Sequence, residues 1–120
     1  MLRLDDVHAY YDESHVLRGV TLEVKPGEVV TLVGRNGVGK TTTLRTIMGI
    51  VRPRLGAILF DGQPINGLPS NKIAQLGIGF VPEERGIMST LSVYENLTLP
   101  PIVGDEAWPL EKIYQTFPIL

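Results

Sequence analysis

The chain has 120 residues, 43% of them hydrophobic and 20% charged, and no cysteine. That length allows one small domain at most, burying about two thirds of its unfolded surface. The composition argues against a disordered chain. The lack of cysteine excludes a disulfide scaffold, a thiolate zinc site and a cysteine nucleophile. Net charge is −2, from 11 basic and 13 acidic residues, which does not favour nucleic acid as a partner. His8 and His15 are too few for an all-histidine metal site and read as surface residues.

Residues 2–7 alternate weakly and predict a first strand; residues 10–15 are polar and turn-like. Val20-Thr-Leu-Glu-Val24 alternates at period two, a half-buried strand. Pro26-Gly27 is a turn. Val29-Val-Thr-Leu-Val33 is a nearly continuous β-branched run, the pattern of a strand buried on both faces. A glycine-rich loop follows, and then a helix whose Leu44, Ile47, Met48 and Val51 form one apolar stripe, ended at Arg52-Pro53. Residues 57–60 predict another strand, closed by the turn pair Asp61-Gly62. Residues 70–76 predict a short helix with Gly77 as its C-cap, and residues 79–81 a short strand stopped by Pro82. Ser92-Val-Tyr-Glu95 fits a capping box, with Pro100-Pro101 ending that helix. Residues 110–117 predict a last helix. The mixture is α/β, with a strand–loop–helix unit near the middle.

That unit contains Gly34-Arg-Asn-Gly-Val-Gly-Lys-Thr-Thr42, which fits G-x-x-x-x-G-K-[ST]. Glycines accept positive φ, so successive backbone N–H groups of Gly34, Arg35, Asn36, Gly37, Val38 and Gly39 can converge on a phosphate. The helix beginning near Lys40 adds the positive end of its dipole. Lys40 suits the β- and γ-phosphates, the Thr41 hydroxyl suits Mg²⁺, and Thr42 is placed for the α-phosphate. Between Val29 and Phe60 there is no acidic residue but five basic ones, Arg35, Lys40, Arg45, Arg52 and Arg54. This local positive field favours a small anionic ligand. The plainer alternatives are solvent exposure for Arg35 and a turn-forming role for Asn36.

With its flanks, this loop resembles the nucleotide-binding subunit of ATP-binding cassette (ABC) transporters, over the chain from Leu2 onward. The resemblance implies a P-loop NTPase core with an N-terminal antiparallel β subdomain, incomplete on its C-terminal side, so that residues 1–120 form the N-terminal part of the nucleotide-binding domain. It implies ATP and Mg²⁺ as ligands. Tyr11 stands where the family has an aromatic residue stacking on adenine, although Tyr10 beside it could serve equally; Val16 is a further adenine contact. Phe80-Val-Pro-Glu-Glu-Arg-Gly86 resembles the loop that senses the γ-phosphate and touches the membrane subunit. Glu83 sits there in place of the usual glutamine, and a carboxylate can still ligate Mg²⁺. Arg85 could pair with Glu83 or Glu84, or meet the membrane subunit. Three stretches, Gly34-Arg-Asn-Gly37, Val81-Pro-Glu-Glu-Arg-Gly-Ile87 and Leu91-Ser-Val-Tyr-Glu-Asn-Leu97, are similar to an ATPase subunit of branched-chain amino acid importers, with a urea importer ATPase also close. The implied partners are membrane permease subunits and a second ATPase subunit across the nucleotide. The implied location is cytoplasmic, peripheral on the inner face of the plasma membrane: the N-terminus has no signal-peptide core, and no apolar run approaches the ~18 residues that span a bilayer.

Other family parts are missing. No Ser-Gly pair occurs anywhere, and no histidine follows His15. Ile58-Leu-Phe-Asp61 imitates a Walker B strand, but Gly62 follows and the pair reads as a turn. Asp105-Glu106 imitates the acid pair, but Pro100-Pro101 leaves no strand before it. No catalytic residue is therefore assigned, and turnover by this chain alone is expected to be slow or absent. A GTPase is disfavoured because Asn71-Lys-Ile-Ala74 lacks the aspartate of a guanine reader.

Overall fold

The computed structural model describes residues 1–84, 86–99 and 107–120. They divide into two compact units, Met1–Ala74 and Gln75–Leu120.

The first unit is built on an antiparallel sheet of order β2-β1-β3-β4. Strand β1 (Leu2–Tyr11) and β2 (Ser14–Val24) form a hairpin. The segment expected as a polar turn is mostly strand: Tyr10 pairs with His15 and Tyr11 with Ser14, leaving only Asp12 and Glu13 in the turn, with Asp12 at φ 51°. An exposed hairpin end needs backbone pairing and no apolar side chains, so polarity alone misplaces it. Strand β3 (Pro53–Phe60) pairs with the other edge of β1, and the Asp61-Gly62 turn leads into β4 (Gln63–Pro64). The acid after Ile58-Leu-Phe is thus a turn residue, as expected.

A bulge organises the sheet. Leu4 and Val7 are three residues apart, yet both are fully buried, because β1 carries an extra residue against both neighbours between them. Asp6 sits there at φ 46°, its N–H held by the Thr21 hydroxyl at 3.0 Å. The bulge is accommodated by Gly56, at φ 90°: a Cβ at that position would lie 2.3 Å from the Asp6 carbonyl oxygen. Leu4, Val7, Ala9, Leu17, Ile58, Ile65 and Ile73 form the buried core, each Leu or Ile contributing about 2 kcal/mol. Asn66 supports its rim, accepting from the Ile58 N–H at 2.7 Å and donating to the Gly56 carbonyl at 2.9 Å.

Helix α1 (Lys40–Ile47) ends one turn earlier than Pro53 suggested. Gly49 N–H bonds the Thr46 carbonyl and Ile50 N–H the Arg45 carbonyl, a Schellman closure. Of the expected stripe Ile47, Met48 and Val51 are buried, joined by Thr42, Thr43 and Thr46, whereas Leu44 is 44% exposed. The threonines tolerate burial because Thr43 and Thr46 donate their hydroxyls back to the Gly39 and Thr42 carbonyls, both at 2.7 Å.

Residues 29–33 and 79–81 are not strands. Val29, Val33 and Val81 are 91%, 87% and 91% exposed. A strand buried on both faces draws its burial from neighbouring strands and covering helices, and no strand among the described residues pairs with either segment.

Helix α2 (Ser70–Gln75) matches the expected short helix, with Gly77 at φ 106° just past it. In the second unit, α3 (Val93–Thr98) carries the expected capping box: Ser92 Oγ accepts from the Glu95 N–H at 3.2 Å, and Glu95 Oε2 from the Ser92 N–H at 2.8 Å. Asn96 clamps the preceding loop, accepting from the Met88 N–H at 3.0 Å and donating to the Met88 and Ser92 carbonyls at 3.1 and 2.9 Å. Helix α4 (Leu110–Thr116) is the expected last helix, with the Lys112 ammonium 4.0 Å from the centre of the Trp108 ring. Arg85, the Pro100-Pro101 stop and the Asp105-Glu106 pair lie outside the described residues.

Two outcomes follow. Gly56→Ala should destabilise the first unit by ~2 kcal/mol or more, read by urea denaturation with circular dichroism, because the left-handed backbone and the Asp6 carbonyl both oppose a side chain. Ser92→Ala should cost the second unit about 1 kcal/mol, read by Trp108 fluorescence. The Ser92 backbone and hydroxyl bonds hold the Glu95 carboxyl below its ordinary 4.5. The box is therefore intact above that value and is lost as pH falls through the lowered one.

Candidate phosphate-binding site

Residues 34–39 connect the exposed run 29–33 to α1, and the loop doubles back on itself. A Cβ on Gly34 would lie 2.9 Å from Val38 Cγ2, so the two ends of the pentapeptide touch. Lys40 closes the loop from the helix side, its ammonium donating to the Gly34 carbonyl oxygen. Gly37 has φ 84° and Gly39 φ 106°. At Gly39 the left-handed conformation favours glycine, and the residue packs against β2: a Cβ there would lie 2.9 Å from Leu17 Cδ2 and 3.6 Å from the Val16 carbonyl oxygen. The loop is thus seated on β2.

Gly39 is also the N-cap of α1, and it offers no side-chain cap. The first intrahelical bond of the turn runs from the Thr43 N–H to the Gly39 carbonyl at 2.8 Å. The N–H groups of Lys40, Thr41 and Thr42 precede it, and no acidic residue stands in the first turn. Bare amides at the positive end of a helix, with no carboxylate competing, suit an anion. Arg35, Asn36 and Thr41 are exposed; Lys40 is half-buried and Thr42 buried.

The sequence left Tyr10 and Tyr11 open as aromatic partners, and their surroundings separate them. The Tyr10 ring stacks on His15 with centroids 4.3 Å apart, and the Arg54 guanidinium lies 4.2 Å from its centre. Tyr11, at the end of β1, is 41% exposed and faces Arg45 and Thr42 of α1 electrostatically. The influence of Arg45, followed by that of Thr42, lowers the phenol below its ordinary 10.0, against the opposing effect of burial. Because the folded phenol is the lower of the two, this contribution to stability is fully present above the unfolded value and is lost as pH falls through the lowered one. Val16 and Gly39 are adjacent in space, with Lys40 and Thr42 following Gly39 into the first turn of α1. Glu83, paired with Thr41 in the sequence reading, is an exposed bend residue of the second unit.

Sequence reasoning missed two arrangements. Arg45 was read only as part of the local positive field, although its i, i+3 spacing from Thr42 puts both on one face of a helix. His8 and His15, read as isolated, are half-buried cross-strand partners: His8 Nδ1 lies 3.0 Å from His15 Nε2, and its Nε2 3.1 Å from Asp6 Oδ1. No group of three or more metal-ligating residues occurs among the described residues.

Comparison with known proteins extends this geometry. A family model described as ABC transporter matches residues 17–120. Over its full length the chain is 40% identical to the high-affinity branched-chain amino acid transport ATP-binding protein BraG of Pseudomonas aeruginosa, covering 53% of that protein. It is 42% identical, over 81% of itself and 40% of the relative, to the lipopolysaccharide export system ATP-binding protein LptB of Haemophilus influenzae. The chain thus spans about half the length, or less, of these curated relatives. Among solved structures, the dimeric post-hydrolysis state of the ATP-binding cassette MJ0796 bound to ADP and Pi aligns with TM-score 0.74 and 30% identity, over 83% of this chain and 46% of that one. A nucleotide-free ATP-binding cassette from an ABC transporter aligns with TM-score 0.74 and 25% identity, over 98% of this chain and 46% of that one. The antiparallel sheet, the looped glycines ahead of α1 and these matches together establish that the chain belongs to the ABC transporter family.

Proposed function

We propose that residues 1–120 are the N-terminal part of a nucleotide-binding domain, and that they bind ATP with Mg²⁺ as part of an importer of branched-chain amino acids. The observation that carries this reading is the looped segment 34–39 seated on β2, with an uncapped, acid-free helix start behind it. The 40% identity to BraG supports the choice of solute class. A urea importer remains the runner-up from the sequence.

The chain's own residues divide the work. Amides of Gly34, Arg35, Asn36, Gly37, Val38 and Gly39, with those of the first turn of α1, hold the phosphate oxygens. Lys40 exchanges its bond to the Gly34 carbonyl for the β- and γ-phosphates. Thr42 serves the α-phosphate, and Tyr11 and Val16 flank the base. Thr41 contributes one hard oxygen for Mg²⁺, its exposed hydroxyl standing in an acid-free turn where phosphate oxygens and waters would complete the octahedron; Glu83 is the second proposed ligand. The bound ion would neutralise phosphate charge. Permease subunits and a second ATPase subunit are the proposed partners. No helix among the described residues is long and apolar enough to cross a membrane, and the proposed location is at the inner face of the plasma membrane through the permease.

A second reading concerns turnover. The sequence holds no Ser-Gly pair, and Asp61 is a turn residue, so neither the partner-facing signature nor a water-orienting acid is supplied here. This chain by itself binds nucleotide without hydrolysing it.

In a thermal-shift titration, ATP with Mg²⁺ at a hundredfold excess over Kd should stabilise the chain by about 2.7 kcal/mol. Lys40→Ala should weaken binding at least ~10-fold, the loss of a charge-assisted bond to phosphate. A wild-type chain unmoved by ATP, or one that binds GTP far more tightly, would overturn the reading. Phosphate release should stay at background; steady release well above it would defeat the non-hydrolysing account.

A further inference from the structure

The two histidines of the hairpin face each other across β1 and β2, and the phosphate site does not use them. His8 Nδ1 lies 3.0 Å from His15 Nε2. Both rings are held from other sides. The His15 ring stacks on Tyr10, its register partner, at 4.3 Å and 5°, and on His8 at 5.2 Å. The His8 ring is held by the bulge residue Asp6, whose Oδ1 lies 3.1 Å from His8 Nε2. Gly19 leaves room for that carboxylate, since a Cβ there would lie 2.7 Å from the same oxygen. An ionised carboxylate only accepts, so His8 carries its hydrogen on Nε2 and presents the lone pair of Nδ1 to His15. The nearby cations are engaged elsewhere: Arg18 donates to the His15 carbonyl at 3.4 Å, and Arg54 donates to the Asp12 carbonyl at 2.7 Å and lies over the Tyr10 ring. Asp6 is the anion in contact with the pair.

We propose that His8 Nδ1 and His15 Nε2 are the two protein ligands of a divalent transition-metal site, of the Ni²⁺ or Cu²⁺ class, with Asp6 orienting His8 from behind. A metal-bound histidine commonly donates its other N–H to a carboxylate, which fixes the tautomer and raises the basicity of the ligating nitrogen, and Asp6 stands in that place. The spacing selects the geometry. With metal–nitrogen bonds of about 2.0–2.1 Å, nitrogens 3.0 Å apart subtend about 94° at the ion. That is the cis angle of a tetragonal site, whereas a tetrahedral one would need them about 3.3 Å apart. Binding exchanges the hydrogen between the rings for the ion: His15 moves its proton from Nε2 to Nδ1, and no net proton is released. The His8 side chain is 21% exposed, so water can fill the remaining positions. Asp6 occupies the far nitrogen of His8 and is not a third ligand, in keeping with the absence of any three-ligand group among the described residues. The proposal is independent of the nucleotide reading.

The test titrates Ni²⁺ and Cu²⁺ into the full chain without nucleotide. Calorimetry should show one equivalent bound, and Tm should rise with metal concentration, as for a ligand held by the folded hairpin alone. Electron paramagnetic resonance of the Cu²⁺ form should resolve two nitrogen ligands. Asp6→Asn keeps a residue type that tolerates the left-handed backbone, and should weaken Ni²⁺ about tenfold, the lower end for loss of a carboxylate behind a ligating histidine. His8→Gln and His15→Gln should each cost more. Imidazole nitrogen NMR of the metal-free chain should show His8 in its Nε2–H form, and Asp6→Asn should lessen that preference. Circular dichroism checks the fold of each variant; if a histidine variant unfolds, the nitrogen count in the wild type still decides. No binding at one equivalent, a single nitrogen on Cu²⁺, or wild-type affinity in a folded His8→Gln or His15→Gln chain would overturn the proposal. Unchanged affinity in Asp6→Asn would overturn it as well, because orientation by Asp6 is part of it.

Discussion

The seating of Gly39 on β2 is the constraint from which the candidate site follows. At φ 106°, with Leu17 in the space a side chain would need, this residue fixes where the glycine loop stops and α1 starts. Because it is glycine, the helix begins without a side-chain cap, and the amides of the first turn are left for another acceptor. Because it rests on β2 near Val16, the helix start is held beside the end of the hairpin that carries Tyr11. A helix dipole and a few amides are common in proteins; their alignment with an aromatic residue and a lysine on one unit is what gives them chemical meaning.

The antiparallel sheet serves this arrangement from beneath. The bulge at Asp6, permitted by Gly56, keeps Leu4 and Val7 on the same buried face and lets β1 continue to Tyr11. The buried threonines of α1 close their own hydroxyls onto the backbone one turn back, so the helix can be packed closely without large apolar side chains on its first turn. What positions the site is therefore short-range and local to the first unit.

Features that depend on a few consecutive residues were legible in the sequence. The turn ahead of α1 demands glycines at fixed offsets, and Gly37 and Gly39 adopt positive φ there. The capping box at Ser92 and Glu95 and the turn at Asp61-Gly62 are each decided by neighbours within three positions. Features that depend on distant strands were not. Residues 29–33 have the composition of a doubly buried strand, but composition records what burial a segment tolerates and not which partners provide it. The apolar stripe expected on α1 was read correctly at Ile47, Met48 and Val51 but not at Leu44, because helical periodicity locates a face, whereas the elements packed against the helix decide how far it is covered. The His8–His15 pair joins residues on different strands, and only the hairpin register brings them within reach.

The central claim is that backbone amides between Gly34 and Thr42 converge on a triphosphate. Amide NMR of the labelled chain, titrated with ATP and Mg²⁺, tests it most directly. The account predicts large, saturable shifts concentrated in residues 34–42, with Tyr11 and Val16 responding as the second cluster. Shifts confined to other parts of the chain, or none at all in that loop at saturating nucleotide, would contradict it.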